Sequence, residues 1–129
     1  MSPKNKKKLN IIRVKLDKLD NKLLSLIKNR TGLVKEVLKL KEFKKEIVDK
    51  KRINFILKKI KGKSKKLNID PKITNRIWKN MIWSYIDYER RNFRKKSIRN
   101  NIDPKITNRI WKNMIWSYID YERRNFKKK

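Results

Sequence analysis

The chain has 129 residues, 41 basic and 12 acidic side chains and a formal net charge of +29, so it holds at most one ordinary domain whose self-repulsion opposes compaction. With no cysteine and no histidine, disulfide frameworks, thiolate or zinc sites and histidine-based catalysis are excluded. No apolar run approaches the roughly 20 residues needed to span a bilayer, and the basic start (Lys4, Lys6, Lys7, Lys8) leads into an amphipathic segment, so the expectation is a cytoplasmic protein.

The lysine excess suits a polyanion partner, because Lys and Arg neutralise phosphates and release counterions. A blander source competes with it. Alanine, glutamine and histidine are absent while Lys, Asn and Ile abound, a skew that an AT-rich coding sequence produces without selection for nucleic acid.

In chain order, Ile12, Leu16, Leu19, Leu23, Leu26, Leu33, Val37 and Leu40 recur at spacings of three and four. That pattern predicts an amphipathic helix over about residues 9–43. At 1.5 Å per residue such a helix is on the order of 50 Å long, too long to bury its stripe within so small a chain. A second copy is the expected partner. Gly32 costs this helix roughly 1 kcal/mol. Lys44–Ile47 is the expected break, and Asp49 the expected cap of a second helix over 49–61 carrying Ile53, Ile56, Leu57 and Ile60. Lys61–Lys66 lacks apolar periodicity and reads as a mobile basic loop. Asp70-Pro71 then restarts the chain: Asp offers a capping oxygen, and Pro tolerates the first helical position, where its missing N–H is not needed. A third helix is expected over 71–94.

The stretch Asn68–Lys96 returns as Asn101–Lys129, differing only at Arg94 and Lys127. Two units are too few for a solenoid. Asp103-Pro104 repeats the capped start, so the second copy should also be helical, but only one copy can fill any single packing site. The first has the shorter connection to the second helix and therefore the lower closure entropy. The division expected is a domain over 1–96 and a duplicated third helix over 97–129.

Polar residues interrupt the apolar faces. Arg30, Val34, Val37 and Lys41 follow four-three-four spacing, and eleven residues make close to three turns, so the two cations share one side. Buried without partners they would be costly, which calls for carboxylates or an anionic ligand. Arg13 lies out of phase with them and suits a different site, in a two-fold dimer the partner's. Trp78, Ile82, Tyr85 and Glu89 repeat the spacing in the third helix and put one carboxyl on an aromatic face, where burial would raise its pKa. The plainer alternative is that Arg30 and Lys41 reach solvent along their stems and Glu89 pairs with a cation near a helix end.

Three ordered stretches, spanning about residues 9–93, resemble the all-helical, bacterial-type chorismate mutases. IIRVKLDKLDNKLLSLIKNRTGLVKEVLKLK is similar to that family's opening pattern of Arg, an Ile/Leu-x-x-Leu-Asp-x-x-Leu-Leu core, a second Arg and a Lys eleven residues later, here Arg13, Arg30 and Lys41. Ile47 through Arg52 resembles the Ile/Val-x-Asp-x-x-Arg lead-in to its second helix. NIDPKITNRIWKNMIWSYIDYE resembles its third helix, with Tyr85 and Glu89 at the spaced polar positions after Trp78. The resemblance implies an all-α, three-helix fold forming an intertwined homodimer with two sites, here with a duplicated fourth helix. It implies rearrangement of chorismate to prephenate in phenylalanine and tyrosine synthesis, without a cofactor or metal.

By the same resemblance Arg30, and Arg13 from a second copy, would hold the substrate's two carboxylates. Lys41 and Glu89 would address its ether oxygen, and Asp49 and Arg52 would lie at the hydroxyl and carboxylate end. Tyr118 and Glu122 repeat Tyr85 and Glu89 and are alternates from the second copy. The chain departs from the pattern at Ile53, where the family usually has Glu contacting the hydroxyl, and at Tyr85, where Ser or Asn is usual and a larger ring narrows the pocket. A pericyclic reaction needs no nucleophile or metal: arginine forks can orient a dianion and a lysine can stabilise charge on the ether oxygen. Two readings stand against an active mutase. One is a basic nucleic-acid-binding helical protein, which lacks a recognisable helix-turn-helix and a single basic stripe. The other is a mutase-fold dimer impaired by Ile53 or by the extra helix.

Overall fold

The computed structural model describes residues 1–93 and 102–126, and among them the only regular elements are helices: α1 (Pro3–Leu40), a 3-10 helix (Lys44–Ile47), α2 (Lys50–Lys66), α3 (Pro71–Asn92) and α4 (Pro104–Asn125). The chain divides into two compact units, Met1–Val34 and Lys35–Lys129. No helix among the described residues is long and apolar enough to cross a membrane.

The first unit is the greater part of α1. The helix begins earlier than the apolar stripe does, at Pro3 instead of about residue 9, because Ser2 caps it. The Ser2 hydroxyl accepts from the Asn5 N–H at 3.2 Å and the Ser2 carbonyl from the Lys6 N–H at 2.9 Å, and the lysines that follow are good helix formers. Within this unit Ile12, Leu16, Leu19, Leu26 and Leu33 are all exposed, Leu26 and Leu33 by more than 60%. Among the described residues, the apolar stripe legible in the sequence is therefore largely exposed, with Leu23 half-buried. The positions buried along α1 are instead Ile27, Thr31, Lys35 and Leu38, a row offset from that stripe.

The second unit opens with the last turns of α1. That helix stops at Leu40, not at 43, because the backbone after Lys41 is recruited elsewhere: the Glu46 carboxylate accepts from the N–H groups of Glu42 at 2.7 Å and Phe43 at 3.0 Å. The expected break thus takes the form of a tight 3-10 helix. Asp49 then caps α2, accepting from the Arg52 N–H at 3.0 Å. The core of this unit is Ile47, Ile82 and Ile86, with Val48, Ile53, Ile56, Leu57, Trp83 and Phe93 packed on it. It joins the 3-10 helix, α2 and α3.

Lys61–Lys66 is not the mobile loop expected from its composition but the last turns of α2. Tertiary contacts override the missing periodicity here. Ser64 is buried, its hydroxyl lying 2.6 Å from the Ile60 carbonyl and 2.6 Å from the Thr74 hydroxyl on α3. The helix ends with Asn68 at φ 58°, the left-handed conformation Asn tolerates at a C-terminus. The Ile69 N–H reaches back to the Ser64 carbonyl at 2.9 Å.

Both Asp-Pro starts form as the sequence implies. Asp70 accepts from the Lys72 N–H and Asp103 from the Lys105 N–H, each at 2.9 Å, with Pro in the first turn of each helix. The third helix was expected to reach residue 94. It ends at Asn92, and Arg94 lies outside the described residues, as does most of the connection to the second copy. Within the unit, α3 packs on α2 and the 3-10 helix, while α4 packs on α3.

Candidate active site

Two of the residues singled out by spacing meet in the second unit. Lys41, the first residue after α1, places its ammonium 2.7 Å from Oε2 of Glu89 on α3, with side-chain exposures of 17% and 7%. Glu89 has Ile82, Tyr85, Ile86 and Tyr88 as buried companions on its helix. Removal from water pushes its carboxyl above the ordinary range, and the hydrogen bond and charge of Lys41 oppose this without cancelling it. The carboxyl thus holds its proton more readily than an ordinary carboxylate, and it faces a cation that can also donate to a third atom.

Lys41 lines an open cavity of about 690 Å³ together with Val37, Leu40, Glu46, Val48 and Asp49. Asp49 shares this cavity while its oxygen is engaged as a helix cap. Arg52 is exposed and sets its guanidinium 5.5 Å from the centre of the Phe55 ring. Ile53 is half-buried against the core, which accounts for an apolar side chain there. Tyr85 is buried on α3. Arg13 and Arg30 lie on α1 in the first unit, Arg13 exposed and Arg30 half-buried. Tyr118 and Glu122, the repeats of Tyr85 and Glu89, are exposed on α4.

Sequence reasoning missed Lys35. It is 6% exposed, its ammonium stands 5.8 Å from the Tyr88 ring centre, and burial lowers its pKa while the charge of Asp103 pulls the other way. The available signal was helical spacing: Ile27, Thr31, Lys35 and Leu38 follow a four-four-three pattern, hidden beside a stronger leucine stripe.

An all-helical frame that holds a lysine against a buried carboxyl beside a cavity can act on a ligand by hydrogen bonding and charge, without a nucleophile. The sequence model described as chorismate mutase type II matches residues 12–90, and over 76 residues the chain is 37% identical to a chorismate mutase of Methanocaldococcus jannaschii, covering 58% of this chain and 77% of that protein. The chain belongs to the type II chorismate mutase family and is an isomerase of that class. No solved structure matches it. The family match ends within α3, so α4 is an addition to the family's span.

Proposed function

We infer that the chain converts chorismate to prephenate in phenylalanine and tyrosine synthesis in the cytoplasm, and that Lys41 and Glu89 are the groups that meet the ether oxygen. The observation that carries this reading is the 2.7 Å contact between a lysine beside an open cavity and a carboxyl whose pKa burial raises. In the rearrangement one C–O bond breaks as one C–C bond forms, with no net transfer of protons or electrons. The protein's work is to hold a flexible dianion in its reactive shape and to stabilise the negative charge that grows on the departing oxygen. Lys41 would donate to that oxygen. Glu89 donates only when protonated, which its raised pKa favours.

Arg30 and, from a second copy, Arg13 would clamp the two carboxylates by bidentate hydrogen bonds. Asp49 and Arg52 would serve the hydroxyl and carboxylate end, and Tyr85 would bound the pocket. The dimer this requires is supported by the uncovered apolar stripe of α1, since contiguous exposed apolar surface marks an interaction site.

The test is loss of chorismate absorbance with purified protein over about pH 5 to 8, beside an Arg30→Ala control. Turnover that disappears in the control supports the assignment. A folded helical protein with no turnover at any pH overturns it.

A further inference from the structure

The seam between α3 and α4 is built twice over. Arg76 Nη1 lies 2.8 Å from Asp120 Oδ2, and Arg109 Nη1 lies 2.9 Å from Asp87 Oδ2. Arg91 pairs with Asp103 and Arg124 with Asp70, both at 3.2 Å. The Nε atoms of Arg76 and Arg109 each stand 3.4 Å from the amide oxygen of the other helix's asparagine, Asn113 and Asn80 respectively. In the repeat Arg109 is the copy of Arg76, Asp120 of Asp87, Asn113 of Asn80, Arg124 of Arg91 and Asp103 of Asp70. Each of these polar contacts therefore has a mate with the two helices exchanged, as in a two-fold interface where residue i meets j and j meets i.

A face that pairs in this way with an identical helix cannot distinguish that helix in its own chain from the same helix in another. We propose that the Arg76–Asp87 face of α3 is a self-recognition surface for the α3 of a second copy of this chain, and that α4 occupies it within the chain as a tethered stand-in. The tether decides between the two. A short covalent connection gives α4 an effective concentration on the order of millimolar, so α4 wins at ordinary protein concentrations. The charge arrangement supports the choice of partner: a strongly basic chain repels other copies at most of its surface, whereas along this seam each arginine finds a carboxylate on its mate. The surface is also separate from the Lys41–Glu89 pair, which α3 directs to a different neighbour.

The full-length chain tests this without removing any element. Arg109→Glu combined with Asp120→Arg sets like charges against Asp87 and Arg76 and loosens α4, while α3 is untouched and the altered α4 helices remain complementary to one another across two chains. Equilibrium sedimentation, run from micromolar to about millimolar protein so as to match the lost effective concentration, should show the double variant rising to twice the mass that the unaltered protein shows under the same conditions. Adding Arg76→Glu and Asp87→Arg restores attraction within the chain and should return the mass to that of the unaltered protein. A double variant that keeps the unaltered mass throughout overturns the proposal, as does a fourfold variant that associates as strongly as the double.

Discussion

Helices α3 and α4 read the same from Asn68 to Phe93 and from Asn101 to Phe126, yet they live in different surroundings. In α3 the residues Ile82, Tyr85, Ile86, Tyr88 and Glu89 are buried against the rest of the second unit. Of their copies, Ile115, Tyr118, Tyr121 and Glu122 are exposed and Ile119 is half-buried, although Ile106 and Ile110 in the first turns of α4 are the most completely buried side chains described. One amphipathic sequence with two usable faces thus buries both in α3 and only one in α4. Helix formation is local, set by the cap and the propensity of each residue, whereas burial depends on what the chain can bring alongside.

The sharpest way to break that comparison is to make the same change at both sites. Glu89→Lys puts a second cation against Lys41 in a nearly dry site, and should cost about 3 kcal/mol or more. Glu122→Lys, on exposed α4, should stay within about 0.5 kcal/mol. Equal denaturation midpoints for the two variants would mean that the copies are equivalent.

Glu89→Gln sharpens it further through pH. A carboxyl whose folded pKa is raised binds its proton more tightly in the folded state, so stability is greatest below the ordinary carboxylate range and declines as pH rises through the folded value. Turnover, if Glu89 donates as a neutral acid, should decline over the same interval. Glu89→Gln should flatten both profiles, and Glu122→Gln should leave both as they were. Identical profiles for Glu89→Gln and the unaltered chain would remove the proton-donor role.

Smaller effects probe the helix ends and the seam. An added methyl at Gly62 meets nothing within 4 Å, and the site is helical, so Gly62→Ala should stabilise by about 0.5 to 1 kcal/mol. A loss of stability would return the segment to the loop its composition suggested. Arg76→Ala and Arg109→Ala remove mates of one another at half-exposed positions and should each cost under about 1 kcal/mol, by the same amount within error. Unequal losses on thermal unfolding would show that the seam's two halves are not equivalent.

How much was legible follows from how local each feature is. The Asp-Pro starts and the cap at Asp49 rest on short-range geometry that the residues carry themselves, whereas Lys41 and Glu89, 48 residues apart, were brought to one site only by the family resemblance. The last turns of α2 were hidden because the buried Ser64 meets the Thr74 hydroxyl on α3, a contact that apolar periodicity does not signal. Lys35 was overlooked because a buried cation is identified by the ring above it, Tyr88, and not by its own row on the helix.

By itself, then, the sequence determined an all-helical chain, the starts of α2, α3 and α4, the repeat and the family, because hydrogen-bonded helices and their caps are set within a few residues. Only the tertiary structure decided which copy of the repeated helix meets Lys41, that Lys61–Lys66 is helical, that Lys35 is buried under Tyr88 and that the two copies clasp each other in matched pairs. Those outcomes depend on desolvation and on partners far along the chain, and identical residues respond to them differently.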